Sequence, residues 1–320
     1  MARRKRTSSP SGVLSTKSIK RPKHELPPQL NPITPNEYKS DPTNVFELCT
    51  ARAGVIKQWF DNLKHILEKT DVNFVLTEEG IDVSHADESK NVVVVSKLFG
   101  KEFEFYRCDA RISAGIDVGK IHRIVKFVQT NEVLTMQIHR DKPGTLVISM
   151  FNEPTDCRTT YTYELIEEVP DEEIQMPDFA FPRSVSVPSQ HFQKKIQDMV
   201  SYGVELVEFQ SIRNMLILRN YNSPNLPVEV SFKGKARVLS HTVNDDGGST
   251  LVEESGDVDT DMTSEIYQGV FNLKHIGEFV KKGSNEDMTF FIRNDLPLLM
   301  QFNISTLGYL RIFIMPVKGT

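Results

Sequence analysis

One unit recurs four times between residues 46 and 316, an amphipathic helix followed by a strand–turn–strand hairpin, and a chain built this way folds its units into similar domains. The helices are read near 53–68, 117–129, 189–201 and 269–282, so their starts fall 64, 72 and 80 residues apart. The hairpins that follow them are 72–76 with 81–84, 133–138 with 145–150, 204–209 with 215–218, and 288–292 with 298–304. Glu78-Glu79-Gly80, Asp141-Lys142-Pro143-Gly144 and Arg293-Asn294-Asp295 supply residues that tolerate tight backbone turns.

Each helix carries an apolar stripe at helical spacing, with basic residues off it. In the first, Val55, Ile56, Trp59, Phe60, Leu63, Ile66 and Leu67 form the stripe, with Lys57 and Lys64 outside it. In the second, Val118, Ile121, Ile124, Val125 and Val128 oppose Lys120, Arg123 and Lys126. Phe192, Ile196 and Met199 alternate with Lys194 and Lys195 in the third, and in the fourth Leu273, Ile276 and Val280 leave Lys274 and Lys281 on one face. The expected fold class is α+β: two similar domains, 46–163 and 181–320, each with two helices packed on curved antiparallel sheet. Residues 164–178 hold seven acids, no base, Pro170 and Pro177, so 164–180 reads as an acidic interdomain connector. Residues 245–261 also hold seven acids and read as an exposed loop, and a deletion of 234–264 is expected to be tolerated.

Charge is unevenly placed along the chain. Residues 1–24 carry eight Lys/Arg and no acid, and 1–45 reads as a disordered basic, Pro-rich tail, either a localisation or nucleic-acid-contacting segment or a solubilising one. The rest carries 30 Lys/Arg against 43 Asp/Glu, net −13, yet the four helices hold ten bases against five acids, leaving −18 elsewhere. An acidic body with basic helices suits a protein that faces one polyanion and repels it elsewhere; bases off an apolar stripe also simply face solvent. No apolar run approaches the ~18 residues needed to span a bilayer. Cys49, Cys108 and Cys157 are odd in number and far apart, which argues for a reducing compartment and against a disulfide framework or zinc site. No phosphate-binding Gly-rich loop, His-Glu-x-x-His, Gly-x-Ser-x-Gly or Cys-x-x-Cys is present, so no catalytic residue, cofactor or metal is expected. A nuclease or hydrolase reading would rest on Asp245, Asp246, Asp257 and Asp259.

Phe105-Tyr106-Arg107-Cys108-Asp109, with Phe103 before it and the second helix after it, resembles the proliferating cell nuclear antigen (PCNA) family of sliding clamps. Val187-Pro188-Ser189, Leu296-Pro297-Leu298, Leu307-Gly308-Tyr309-Leu310 and Phe313-Ile314-Met315-Pro316 follow in that family's order, so the resemblance runs from about residue 46 to 316. It implies a homotrimeric ring closed head-to-tail around duplex DNA, holding a DNA polymerase, a clamp loader and other proteins with short clamp-binding motifs, in the nucleus or at a cytoplasmic viral replication site. Carried over by position, Lys57, Lys64, Arg123, Lys126, Lys194, Lys195, Lys274 and Lys281 are its DNA-facing residues. Gln58 stands where the family often has a second lysine after Lys57, and Gln197 and Ser201 replace basic or histidine residues on the third helix, which implies a lighter touch by that helix. The implied partner pocket is Ala86, Val93, Met176, Pro297, Phe313, Met315 and Pro316, with Ala86 and Met176 departing from the usual residues. The implied subunit edges are 159–165 and 228–232, with Tyr161, Tyr163, Val228 and Val230 named as contacts. The rival reading is a clamp-like subunit of a heteromeric or open ring, and an ordinary sheet strand would explain each edge equally well.

Overall fold

The computed structural model describes residues 38–67, 71–167, 169, 174, 181–221, 227–243, 249–253, 265–280 and 287–317. The first half runs β1 (Asn44–Thr50), α1 (Ala53–Leu67), β2 (Asp71–Thr77), β3 (Gly80–Ala86), β4 (Val92–Phe99), β5 (Phe105–Cys108), β6 (Ile112–Asp117), α2 (Val118–Val125), β7 (Glu132–His139), β8 (Thr145–Asn152) and β9 (Cys157–Glu164). The second half repeats that order: β10 (Arg183–Pro188), α3 (Ser189–Ser201), β11 (Leu206–Ile212), β12 (Met215–Asn220), β13 (Glu229–Lys233), β14 (Lys235–Val243), β15 (Ser249–Glu253), β16 (Ile266–Asn272), α4 (Leu273–Phe279), β17 (Asp287–Phe291), β18 (Leu298–Ile304) and β19 (Gly308–Ile314). Strand β15 is the one described element without a counterpart in the first half. The fold is α+β with two similar halves, as the fourfold unit implies.

Three antiparallel sheets carry these strands. Their orders are β5-β1-β7-β8-β9, β13-β12-β11-β16 and β15-β14-β10-β17-β18-β19-β4-β3-β2-β6. The ten-stranded sheet crosses from one half to the other at β19 and β4, which pair without a break from Gly308 opposite Leu98 to Ile314 opposite Val92. The close approach there requires glycine: a Cβ on Gly308 would lie 1.9 Å from the Lys97 carbonyl oxygen.

The strands alternate. Leu310, Ile312 and Ile314 of β19 point into the main core with Val92, Val94 and Leu98 of β4 and the stripe residues of all four helices, whereas Phe313 and Val93 belong to a separate cluster on the opposite face. The helices therefore form one layer on a single side of the sheets. Within it α1 packs against α2 and α4, and α4 against α3.

Two helices are shorter than their sequence periodicity suggests. Asp117 caps α2 by accepting from Lys120 N at 2.9 Å, and α2 ends at Val125 rather than 129. Residues 269–272 extend β16, pairing through Leu206 opposite Asn272, and the Asn272 side chain then caps α4 by accepting from Lys274 N at 2.9 Å. Sheet pairing displaces the first turn of the expected helix, and the helix starts become 65, 71 and 84 residues apart.

Two further expectations are corrected. Residues 38–45, read as tail, are ordered because the buried Glu47 carboxylate gathers them. It accepts from Ser40 Oγ at 2.7 Å, Asp41 N at 2.9 Å and Asn44 Nδ2 at 2.7 Å, and the Tyr38 ring packs tilted against Phe105 with centroids 4.8 Å apart. A deletion of 234–264 would remove β14, which pairs with β10 from Val238 opposite Arg183 to Lys235 opposite Ser186. Residues 1–37 lie outside the described residues.

Candidate functional site

The helix layer presents the basic residues on the side away from the sheets. Lys57 and Lys64 on α1 are half-buried, and Arg123, Lys126, Lys194, Lys195 and Lys274 are exposed. Lys281 lies outside the described residues. Lys195 is partly engaged by Asp198 at 3.3 Å, and the Lys126 ammonium sits over the exposed Phe127 ring at 4.6 Å. Arg123, Lys194 and Lys274 form no ion pair among the described residues. His122 on α2 bonds Asp61 on α1 through Nε2 at 2.6 Å and fixes the two helices to each other. Ammonium and guanidinium groups held on a rigid layer with few competing acids bind phosphate without reading bases.

On the opposite face, the seam between β19 and β4 carries a second, separate cluster of buried apolar residues. Ala86, Val93 and Phe313 lie in it with Phe181, Phe291 and Leu299, and Val95, Ile174, Leu296 and Met315 pack around them. Beside it opens a cavity of about 1370 Å³ lined by Pro297, Met315 and Pro316, with Leu296, Val270 and Val317. The sequence-derived pocket residues are thus split between this cluster and the adjoining cavity, apart from Met176, which lies outside the described residues. Phe181, Phe291 and Leu299 were missed. Phe181 carried a signal, an aromatic residue closing an acidic connector, whereas Phe291 and Leu299 read as ordinary strand residues until the sheet order sets them beside Phe313.

The expected subunit edges are strands β9 and β13, and each is an outer strand of its sheet. Tyr163 is a correction at the side-chain level. It is buried in the core, and its hydroxyl accepts from Asp117 N at 2.9 Å, so any contact at that position runs through the backbone of β9. Tyr161, Val228 and Val230 are partly buried and also pack inward. Three large apolar residues that sequence reading did not single out are exposed at the ends of the two outer helices: Phe127 (69%) just past α2, and Val200 (49%) and Tyr202 (61%) at the end of α3.

Among the described residues no three His, Cys, Asp or Glu side chains gather as a metal site, and no helix is long and apolar enough to cross a membrane. Asp245, Asp246, Asp257 and Asp259 lie outside the described residues.

Residues 45–173 match the family model of the proliferating cell nuclear antigen N-terminal domain. The chain is 24% identical over 278 residues to "Probable DNA polymerase sliding clamp 1" of Paramecium bursaria Chlorella virus 1, covering 87% of this chain and 98% of that one. It is 22% identical over 273 residues to proliferating cell nuclear antigen of Caenorhabditis elegans, covering 85% and 97%. A "Probable DNA polymerase sliding clamp" of Acanthamoeba polyphaga mimivirus is 24% identical over 245 residues, which is 75% of this chain and 48% of that protein.

Proposed function

We propose that this chain, whose residues 45–173 carry the N-terminal domain of the proliferating cell nuclear antigen family, is a DNA polymerase sliding clamp. It is a non-catalytic ring that encircles duplex DNA and tethers polymerase to it. The observation that carries the reading is the seam. Strand β19, the last of the second half, pairs with β4, the fourth of the first half, while their counterparts β9 and β13 remain outer strands. A second copy that joined β13 to β9 would repeat the seam between chains, and α2 would meet α3 as α1 meets α4. Exposed Phe127, Val200 and Tyr202 at those helix ends support such a contact. We take domains 46–163 and 181–320, joined by 164–180, as the two clamp domains and three copies as the ring, acting in the nucleus or at a cytoplasmic viral replication site.

In that ring the helix layers form the lining. Lys57, Lys64, Arg123, Lys126, Lys194, Lys195, Lys274 and Lys281 face the duplex, and each phosphate contact contributes a salt-dependent, sequence-blind term. Weak contacts of this kind let the ring slide, and closure rather than affinity keeps it on DNA. The partner groove about Val93 and Phe313 takes the short motifs of the polymerase, and the loader opens the ring at a β9–β13 seam.

Two measurements test this. The purified chain should have a solution mass three times 36.4 kDa. Changing Lys126, Lys194 and Lys274 together to Glu should sharply reduce polymerase stimulation on primed circular DNA while that mass is kept. A stable monomer would favour the heteromeric or open ring, and unchanged stimulation across a salt series would remove the helices from the DNA.

A further inference from the structure

On the outer face of the central sheet, side chains stand in cross-strand rows. The first row, Ala86, Val93, Phe313, Leu299 and Phe291, belongs to the buried apolar cluster about which the partner groove is proposed. The row below it, one pleat repeat or about 7 Å along the strands, is Ser84, Val95, Arg311, Gln301 and Thr289. Arg311 is therefore the cation that borders this cluster, set between Val95 and Gln301.

Its setting is built. The Arg311 Nε donates to Gln301 Oε1 at 2.9 Å, and the Gln301 amide nitrogen donates to Asn303 Oδ1 at 3.1 Å, which fixes the orientation of the amide. The guanidinium lies over the Tyr309 ring at 4.2 Å. The neighbouring Lys97 is already paired with Glu79 at 3.1 Å and Asp82 at 3.7 Å, so those acids are committed elsewhere. No carboxylate among the described residues pairs with Arg311, and its two terminal nitrogens are not sealed from solvent. Burial pulls its pKa below the ordinary arginine value, with the Tyr309 hydroxyl opposing. A half-buried guanidinium with fixed orientation and open amino groups suits bidentate contact with a carboxylate.

We propose that Arg311 is a specificity-determining residue of the partner groove, selecting docking segments that carry an Asp or Glu next to their apolar anchors. The proposal rests on the groove reading made above. Tyr309 and Gln301 act through Arg311 as positioning residues. The carboxylate would replace water at the terminal nitrogens, and the aromatic stack and the Gln301 bond would already have restricted the side chain.

The test uses the full-length ring and fluorescently labelled twelve-residue peptides, each with one aliphatic and two aromatic anchors and with Asp, Asn or Lys at every intervening position in turn. Fluorescence anisotropy reads their affinities. At one position the Asp peptide should bind roughly tenfold or more tightly than the Asn peptide. Arg311→Gln should erase that ratio while leaving the Asn peptide bound as before, and Arg311→Glu should favour Lys there. Arg311→Lys should keep only part of the preference, because an ammonium lacks the planar fork. An equal affinity for Asp and Asn peptides in the wild type, or an unchanged ratio in Arg311→Gln, overturns the proposal and leaves the groove reading standing. If no peptide of the set binds and Phe313→Ala changes nothing, the groove reading falls and the proposal with it.

Discussion

The seam inside the chain and the two outer strands β9 and β13 occupy equivalent places in the repeated unit, yet they are finished differently. At the seam, seven residue pairs join β19 to β4, α1 packs against α4, and Trp59 Nε1 donates at 2.8 Å to Ser96 Oγ, which donates at 2.9 Å to the Tyr309 carbonyl. The outward residues there include Val93, Val95 and Phe313. Along the outer strands the outward residues are polar: Arg158, Thr160, Thr162 and Glu164 on β9, and Glu229, Ser231 and Lys233 on β13. The inward residues, by contrast, are mainly apolar in both places: Val92, Val94 and Leu98 flank Ser96 at the seam, and Tyr161, Tyr163, Val230 and Phe232 stand on the outer strands. Core packing thus recurs along the unit, whereas among the described residues the second apolar cluster, on the face away from the helices, lies at the seam. The outer strands instead combine unpaired backbone groups with apolar residues exposed at nearby helix ends, features that another copy would cover.

The largest effect should come from damaging the seam itself. Ile312 is fully buried, and Ile312→Asp places an unpaired carboxylate in the shared core. That should cost at least about 4 kcal/mol and abolish cooperative melting in circular dichroism. A variant that melts normally would mean that the two halves do not depend on each other. Next comes the outer contact. Phe127→Glu combined with Tyr202→Glu should reduce the mass seen by light scattering from three chains to one while the melting temperature moves little, because both side chains are exposed within a single chain. Unfolding on that change, or an intact trimer, would erase the contrast between seam and edge.

A smaller effect sharpens the seam side. Ser96→Ala removes the hydroxyl that links Trp59 to the Tyr309 carbonyl, and both residues are left one hydrogen bond short in a closed site. The cost should be roughly 1–3 kcal/mol, read by denaturant unfolding, with no change in mass.

Much of this contrast was legible in the sequence, and the reason for the remainder is physical. The four helix–hairpin units could be read because their apolar stripes and turn residues are local signals, and the order of the motifs from Phe105 to Pro316 carried the resemblance to the proliferating cell nuclear antigen family. Helix ends were misjudged where strand pairing competes with helix formation, as at residues 269–272. The inward burial of Tyr163 was not legible, since alternation gives two faces without saying which one meets the helices. The groove was half legible. Phe313 and Val93 followed from resemblance, but Phe291 and Leu299 join them only through a sheet order that pairs Val93 with Phe313, 220 positions further along the chain. Arg311 shows the same limit: in the sequence it is one base among thirty-eight, and its neighbours Val95 and Gln301 become neighbours only in the folded sheet.

The smallest expected effect follows the outer strand directly through its cysteine. Cys157 opens β9 and is exposed, whereas Cys49 on β1 is fully buried, and burial pushes the Cys49 thiol up to about 12. A group raised this far stays protonated at pH 8, and the thiol rather than the reactive thiolate is present. Iodoacetamide should therefore modify Cys157 and spare Cys49 in the folded protein, as mass spectrometry of the intact chain and its peptides would report. If β9 pairs with β13 of another copy, Cys157 should react a few-fold more slowly in the trimer than in the Phe127→Glu, Tyr202→Glu monomer, while Cys49 stays unmodified in both. Equal rates at Cys157 would place its end of β9 outside the contact, because a neighbouring strand laid along it would reduce access to the sulfur whatever its register.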